Sequence, residues 1–497
     1  MHGEGRVGRG GVHGGSGGAG PPRRSARVAL GPALAVALVV AVGVAPRAGA
    51  QPEVPLAAVD ADAAALPPLK LRVALVIDPE FPDIDDDLLS RALSAGATAY
   101  AERFSVGAPT FSVVARFTLD GFVRRYVLRE AEACAPTLAT AYRGGGRAEL
   151  EAGRERALRF FQRWKLDELK AMVPAEQRDA ITSHDDVWRA YVDRYLATVA
   201  KLAAERTPAG RPLVTPGSTP GRSHAAWTCA LAEQTDFDVV VTNTFILADK
   251  LDEPHPHAVF GKAKVGGLAG PNAARRALGG QVLMASTFAI DTPIAWLSEL
   301  DGRPASTAER ADILGEFLLA HEIAHAVFGL LDVFDHPPEC LMTSRPGETY
   351  REGLATLREH PGPCPDCQPW VRARVALERA RQAYDAADWT GAIPLLDAAV
   401  AATPKRLHGG RGRRVAELAA MLADAHGHAG NAARARTYAD ASFKLDPASA
   451  LVRAIHQRWG VELVSPRDLA ARDVAARDKK GGVVEASART STTTRRR

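Results

Sequence analysis

HEIAHAVFGLLD, residues 321–332, is the stretch of the chain that decides its fold. His321 and His325 are four residues apart, so on a helix they lie on one face and both imidazoles can reach a single zinc ion. Glu322 lies beside the first histidine, where its carboxylate can take a proton from an attacking water and pass it to a leaving amine. The pattern predicts a hydrolytic zinc site. A chance match, or a buried histidine pair bonded to neighbouring polar groups, is the alternative.

The residues before the motif predict one long helix. Ser306 and Glu309 form a capping-box pair at its start, and Gly329 supplies the flexible backbone that ends it. The two histidines fall on a stripe flanked by alanines, which leaves room for a metal and a substrate. Apolar residues at helical spacing are expected to face a core on another stripe: Leu314, Phe317, Leu318, Ala324 and Phe328.

A third zinc ligand is expected just past the helix, because a hydrolytic zinc takes three protein ligands and keeps one position open. Asp332 completes the pattern HExxHxxxGxxD, and Met342 follows in ECLMTS. This pattern resembles metzincins of the IgA-peptidase-like type and the calcium-activated chloride channel regulators, with one residue more between His325 and Gly329 than the usual metzincin spacing. The resemblance implies that Asp332 is the third ligand and Met342 the Met-turn residue beneath the site. His336 is the alternative ligand, in which case Asp332 is a solvated turn residue.

Three cysteines predict a second metal site. Cys340 comes two residues before Met342, and Cys364 and Cys367 belong to CPDC. The arrangement resembles that of the archaemetzincins, which implies a structural zinc. Their pattern has a cysteine where this chain has Val333, and His336 could take its place as the fourth ligand. The alternatives are a disulfide between Cys364 and Cys367, or one between Cys340 and either of them.

The first 50 residues predict a secretory leader. A basic segment ending at Arg27 precedes an apolar run, residues 28–44, and a small-residue cleavage site ends at Ala50. Residues 1–50 are therefore expected to be a signal peptide. Left uncleaved, the same run would anchor the chain in a membrane, although about 17 apolar residues is marginal for a span. In both cases the rest of the chain lies outside the cytoplasm, where Cys134 and Cys229 could form a disulfide.

From residue 68 the pattern predicts an α+β fold. LKLRVALVID and PTFSVVARFTL predict strands on either side of an amphipathic helix, and strands return at DFDVVVTNTFILAD and QVLMASTFAID. VFGKAKVGGLAGPN predicts a glycine-interrupted edge strand between the last two. Residues 68–370 thus resemble a metzincin-like catalytic domain, in which an edge strand of a twisted mixed sheet binds the substrate backbone beside the active-site helix. Residues 131–225 predict a helical insertion, either a peripheral elaboration or a lid over the cleft.

The chain after CPDC predicts an all-α region, residues 371–462. Two segments of it superpose with Pro404 on Pro447, and small residues then coincide at three steps: Ala380 with Ala423, Ala392 with Ala435 and Ala399 with Ser442. Small residues at these steps resemble the tetratricopeptide repeat, which implies a binding surface for a protein partner. Two repeats are few for an independent solenoid, so the alternative is that they pack on the catalytic domain or on the helix after Leu451. Residues 51–67 predict a disordered linker, and 463–497 predict a disordered basic tail.

The charge balance excludes one class of partner. The chain has 62 basic and 58 acidic residues, a net charge of +4, and no basic patch interleaved with aromatic residues, so nucleic acid is not expected. The sequence therefore predicts a secreted or periplasmic zinc-dependent endopeptidase that acts on peptides or proteins. The alternative is an extracytoplasmic protein-binding module with a non-catalytic zinc site. Glu322 favours the enzyme, because metal binding alone does not need it.

Overall fold

The computed structural model of the chain describes residues 66–128, 146–215, 220–249, 259–330, 340–342, 349–359, 363–403 and 411–460, with short gaps inside some of these ranges. The predicted leader and tail lie outside the described residues, and so do Cys134, Asp332 and His336. No helix within the described ranges is long and apolar enough to cross a membrane.

Five strands form one mixed sheet in the order β2-β1-β3-β5-β4. The strands are Lys70–Ile77 (β1), Thr110–Thr118 (β2), Val239–Thr242 (β3), Gly267–Pro271 (β4) and Gln281–Ser286 (β5). β1 runs parallel to β2 and β3, and β3 runs parallel to β5. β4 lies at the edge and runs antiparallel to β5. The predicted α+β class with a mixed sheet is confirmed, and the glycine-interrupted strand is its antiparallel edge.

Fifteen α-helices accompany the sheet in the described part of the chain. They are Asp86–Phe104 (α1), Leu119–Phe122 (α2), Arg147–Phe161 (α3), Leu166–Met172 (α4), His184–Ala204 (α5), His224–Glu233 (α6), Phe288–Asp291 (α7), Thr307–Asp312 (α8), Ala320–Phe328 (α9), Tyr350–Glu359 (α10), Gln368–Asp385 (α11), Trp389–Ala402 (α12), Arg411–His428 (α13), Ala432–Leu445 (α14) and Ala450–Trp459 (α15).

The sheet separates two hydrophobic cores. Successive side chains of a strand point to opposite faces, so Val73 and Leu75 of β1 join the core that contains α1 and α9. Ala74 and Val76 join the core on the other face, with α2 and α6. Because both faces are covered, every residue of β3 and β5 is buried and these strands are apolar almost throughout.

Two glycines set the distance between α1 and the helix that leads into the HExxH motif. Gly96 of α1 faces Gly315, and a Cβ atom added at Gly315 would overlap the backbone carbonyl of Ala92 and lie 2.8 Å from the nitrogen of Gly96. The absence of side chains at this crossing allows backbone-to-backbone contact. α1 thereby holds the motif helix against the sheet.

The predicted insertion is helical and forms a core of its own. Aromatic residues of α3 and α5 pack with Val259 and Phe260, which come shortly before β4 in the chain. Burial raises the pKa values of Tyr191 and Tyr195 of α5, and the negative charge of the buried Asp249 raises them further. Burial in turn raises the pKa of Asp249 to about 6. The insertion is therefore joined to the segment that precedes the edge strand.

The C-terminal region consists of two antiparallel helix pairs, α11–α12 and α13–α14, followed by α15. The six small residues that coincide in the sequence alignment are all fully buried: Ala380, Ala392, Ala399, Ala423, Ala435 and Ser442. Side chains of α11, α12 and α13 belong to the same hydrophobic core as α1 and α9. The helix pairs thus pack directly on the α+β part of the described chain.

We expect Gly315→Ala to lower the free energy of unfolding by about 1–3 kcal/mol, because the new methyl group must push α1 away from the motif helix. Gly153→Ala is the matched control, since an added Cβ there meets no atom within 4 Å and α3 gains about 0.5–1 kcal/mol of helix propensity. Denaturant unfolding of both variants measures the difference. Equal effects of the two substitutions would contradict the close crossing.

The buried carboxyl of Asp249 predicts a pH-dependent stability. Its pKa of about 6 in the folded protein exceeds the ordinary 3.8, so folding is unpenalised below pH 3.8 and loses stability as pH rises towards 6. Asp249→Asn should therefore stabilise the protein by up to about 3 kcal/mol at pH 7.5 and by almost nothing at pH 4. Thermal unfolding across this range checks it, with the exposed Asp179→Asn as control. A gain that does not depend on pH would contradict it.

Candidate active site

The helix that carries the motif is capped at both ends. The Ser306 hydroxyl accepts a hydrogen bond from the Glu309 backbone at 3.2 Å, as predicted, while the Glu309 carboxylate binds Arg351 at 3.0 Å. At the other end Gly329 has φ 70°, and its N–H donates to the carbonyl of His325. A π-helical segment, Ile313–Leu319, lies between α8 and α9, and widened turns of this kind are frequent at functional sites.

His321 and His325 face each other across one helical turn. Their Nε2 atoms are 2.9 Å apart, and the ring planes are nearly perpendicular. The Nδ1 atoms lie 2.8 Å from the carbonyl of Leu341 and 2.7 Å from the carbonyl of Leu330. A carbonyl oxygen can only accept a hydrogen bond, so Nδ1 of each ring is the donor, and the neutral form of each ring then carries its lone pair on Nε2. Two nitrogens bound to one tetrahedral zinc stand roughly 3.3 Å apart, so the pair fits zinc after a small separation.

Glu322 is buried between this histidine pair and the edge of the sheet. Its side chain lies against Gly267, where an added Cβ atom would overlap the carboxylate. Glycine is therefore required at this position of β4 for the strand to approach the motif helix. The approach brings a carboxylate next to an antiparallel edge strand, beside two nitrogen donors.

Tyr350 is a site residue that the sequence motifs missed. Its hydroxyl lies 2.7 Å from the position that a Cβ atom of Gly266 would occupy, directly before β4. The pKa of Tyr350 is raised, chiefly by burial and also by the negative charges of Glu299 and Glu322. The hydroxyl therefore keeps its proton at neutral pH and can donate a hydrogen bond close to Glu322. Only its place at the start of α10, after the predicted Met-turn, could have pointed to it.

An ion pair holds the chain entering β4. Lys264 is buried and pairs with Glu299, and Lys262 binds the same carboxylate at 3.0 Å. Burial lowers the pKa of Lys264, whereas Glu299 raises it. The backbone of Tyr350 donates to the carbonyl of Glu299 at 2.9 Å, so this acidic residue ties Tyr350 to the approach of the edge strand.

The three cysteines of the predicted second site are brought together. Cys340, Cys364 and Cys367 are buried, and their Sγ atoms all lie within 4.8 Å of one another. The Sγ atoms of Cys340 and Cys367 are 3.5 Å apart and none of the three residues is disulfide-bonded, so the structure contradicts the disulfide alternatives. The pKa of Cys364 is raised chiefly by burial, and that of Cys367 chiefly by its hydrogen bond with Cys340. Three soft donors in this arrangement fit a tetrahedral zinc site.

Of the remaining residues that the sequence singled out, the structure describes Met342 and Cys229 but not Asp332, His336 or Cys134. Met342 is buried in the hydrophobic core that contains the motif helix, and it follows Leu341, the acceptor of the His321 hydrogen bond. Asp332 and His336 lie outside the described residues, so the third ligand of the histidine site and the fourth ligand of the cysteine site stay predictions. Cys229 is disulfide-bonded, and Cys134, its predicted partner, is likewise outside the described residues.

No protein-family model, curated protein or solved structure matches the chain. The resemblance to the metzincins therefore stays a prediction from the motif and its surroundings. The geometry of the site has to carry the functional argument.

Proposed function

We propose that the protein is a zinc-dependent endopeptidase of metzincin type that acts outside the cytoplasm. One observation carries the proposal: the buried carboxylate of Glu322 lies between two histidine nitrogens and an antiparallel edge strand. A metallopeptidase needs ligands for a metal, a general base and a surface that holds an extended peptide. Histidine nitrogens, a carboxylate and an edge strand meet at this point. A structural zinc site would have no use for the carboxylate or for the edge.

The histidines would hold the metal with Asp332 as the third ligand. Their Nδ1 hydrogen bonds to Leu341 and Leu330 fix the rings with Nε2 turned inward, which is how zinc-binding histidines are usually oriented. When bound, zinc lowers the pKa of a water molecule and polarises the carbonyl of the scissile bond. The protein's own groups then supply the proton transfers and the alignment of the substrate.

Glu322 is placed to serve as the general base and then as the general acid. Its carboxylate accepts a proton from the attacking water and returns it to the nitrogen of the leaving amine. Burial beside β4 keeps bulk water away from the carboxylate, which favours proton exchange with the substrate. The protonated hydroxyl of Tyr350 is a second donor near the same place.

β4 is the element that would align the substrate. It pairs with β5 along one side, and an extended peptide can add to the other side as a further antiparallel strand. The main-chain hydrogen bonds of such a strand do not depend on the substrate's sequence. Contact between β4 and Glu322 at Gly267 places the added backbone within reach of the base.

The proposed location rests on two features. The predicted leader would direct the chain across a membrane, and the disulfide of Cys229 is typical of proteins that fold in an oxidising compartment. The helix pairs of the C-terminal region would then lie on the same side of the membrane as the catalytic groups. We assign them a supporting role, because they share a hydrophobic core with the motif helix.

The decisive experiment compares the wild type with Glu322→Gln for zinc content and for hydrolysis of an unstructured protein. Glutamine keeps the shape of the side chain but cannot accept the proton, so zinc should be retained while hydrolysis falls by roughly 10²-fold or more. His325→Ala is the companion variant and should lose hydrolysis together with the zinc of the histidine site. Hydrolysis that persists in Glu322→Gln would contradict the proposed base. Zinc binding without hydrolysis in the wild type would favour the protein-binding module.

The contact between β4 and Glu322 predicts a second result. Gly267→Ala should displace the carboxylate and lower kcat/KM by roughly 10²-fold, because a shift of about 1 Å in a catalytic group costs that much. Gly270→Ala lies on the same strand, where an added Cβ meets atoms only at ordinary contact distance of 3.9 Å or more, and should be nearly neutral. Steady-state kinetics of the two variants, with their zinc content, measure the effect. Similar losses in both would point to damage to the strand and not to the base.

A further inference from the structure

Residues 340–342 connect the two clusters of metal-binding side chains. Cys340 belongs to the thiol cluster, and the carbonyl of the next residue, Leu341, accepts the hydrogen bond from Nδ1 of His321 at 2.8 Å. The N–H of Met342 points back to Sγ of Cys340 at 3.4 Å. The thiol and the carbonyl that orients a histidine of the candidate active site therefore belong to adjacent residues.

This short turn leaves the Leu341 carbonyl little freedom. On its N-terminal side the chain is held by the Cys340 thiol, and on its C-terminal side by the hydrogen bond to that same sulfur and by the buried side chain of Met342. The direction of the carbonyl thus depends on where Sγ of Cys340 lies. The position of Sγ depends in turn on Cys364 and Cys367.

The other two thiols come from a rigid part of the fold. The N–H of Cys367 donates to the carbonyl of Cys364 at 3.0 Å, and Cys367 is the N-cap residue directly before α11. α11 packs through Val371 and Val375 in the core that it shares with the motif helix. A metal ion bound to all three sulfurs would therefore fasten the 340–342 turn to a firmly packed helix.

We propose that a metal ion held by Cys340, Cys364 and Cys367 positions His321 through the Leu341 carbonyl, so that the thiol site sets the metal affinity of the histidine site. The proposal rests on the proposed function, since it takes the histidine pair to be a metal site. A soft divalent ion such as zinc suits the sulfur donors. Loss of this ion frees the turn, and His321 then loses the hydrogen bond that holds its ring and its tautomer.

The size of the effect follows from what such hydrogen bonds do in other metal sites. Removing an outer partner of a metal-binding histidine costs roughly 10- to 100-fold in metal affinity. Coupling between two sites is reciprocal, so an occupied histidine site must raise the affinity of the thiol site by the same factor. Both directions can be measured without reference to catalysis.

The test measures metal stoichiometry and affinity in the purified full chain by titration with Co²⁺, whose absorption distinguishes sulfur from nitrogen ligands. The wild type should bind two ions. Cys367→Ser should lose the sulfur-bound ion and bind the other roughly 10- to 100-fold more weakly. Arg372→Ala, at an exposed position of α11, leaves the thiols and the shared core intact, so it should bind two ions with wild-type affinity.

Unchanged affinity of the histidine site in Cys367→Ser would overturn the proposal. If that variant does not unfold cooperatively, His325→Ala provides the reciprocal measurement, with a weaker sulfur-bound ion expected and an unchanged one overturning the coupling. A wild type that binds only one ion, lost in His325→Ala and kept in Cys367→Ser, would refute this inference and leave the proposed function standing. One ion kept in His325→Ala and lost in Cys367→Ser would refute both.

Discussion

Two hydrogen bonds from imidazole Nδ1 atoms to backbone carbonyls govern the arrangement of the candidate active site. They require that Leu330, just past the helix end, and Leu341, in the turn beyond it, both return their carbonyls to the helix. The left-handed conformation of Gly329 makes the first return possible, because the chain turns back there directly after the helix ends at Phe328. The thiol cluster beside Leu341 accounts for the second. Gly329 and the segment around Leu341 thus both orient a histidine of the candidate active site.

A similar constraint explains the glycines around the motif helix. Gly315 allows α1 to touch it on one side, and Gly267 allows the edge strand to touch it on the other. The helix therefore lies closer to its neighbours than side chains would permit. Glu322 occupies the resulting narrow space, which is why a carboxylate that would otherwise be solvated is buried next to a strand edge. The C-terminal helices close a further side of the same core through α11.

Much of this fold could be predicted from the sequence because its elements are locally marked. The apolar run of β1, the helical spacing of α1 and the glycine-rich character of β4 each predicted the right element. Ser306 and Gly329 predicted the helix ends. The direction of β4 could not be predicted, because pairing with β5 is a tertiary choice. Tyr350 was missed for the same reason: it reaches Gly266 through the packing of α10, which no local pattern records.

The cysteines illustrate the other limit of sequence analysis. Spacing alone could not distinguish a metal site from a disulfide, whereas the 3.5 Å between the sulfurs of Cys340 and Cys367 is too long for a disulfide bond between them. The partnership of Glu309 with Arg351 also depends on an element 42 residues further along the chain. Contacts between side chains that are distant in the sequence depend on tertiary packing, whereas contacts between side chains of one helix follow from their spacing in the sequence. His321, Glu322 and His325 belong to the second kind, so the motif identified them.

A crystal structure with anomalous scattering measured on both sides of the zinc absorption edge tests the central claim most directly. The account predicts one zinc peak at about 2.1 Å from Nε2 of both His321 and His325, with Glu322 beside it and unbound. A second zinc peak is predicted at about 2.3 Å from the sulfurs of Cys340, Cys364 and Cys367. Nε2 atoms of His321 and His325 that stay 2.9 Å apart, with no peak between them in zinc-loaded protein, would contradict the account.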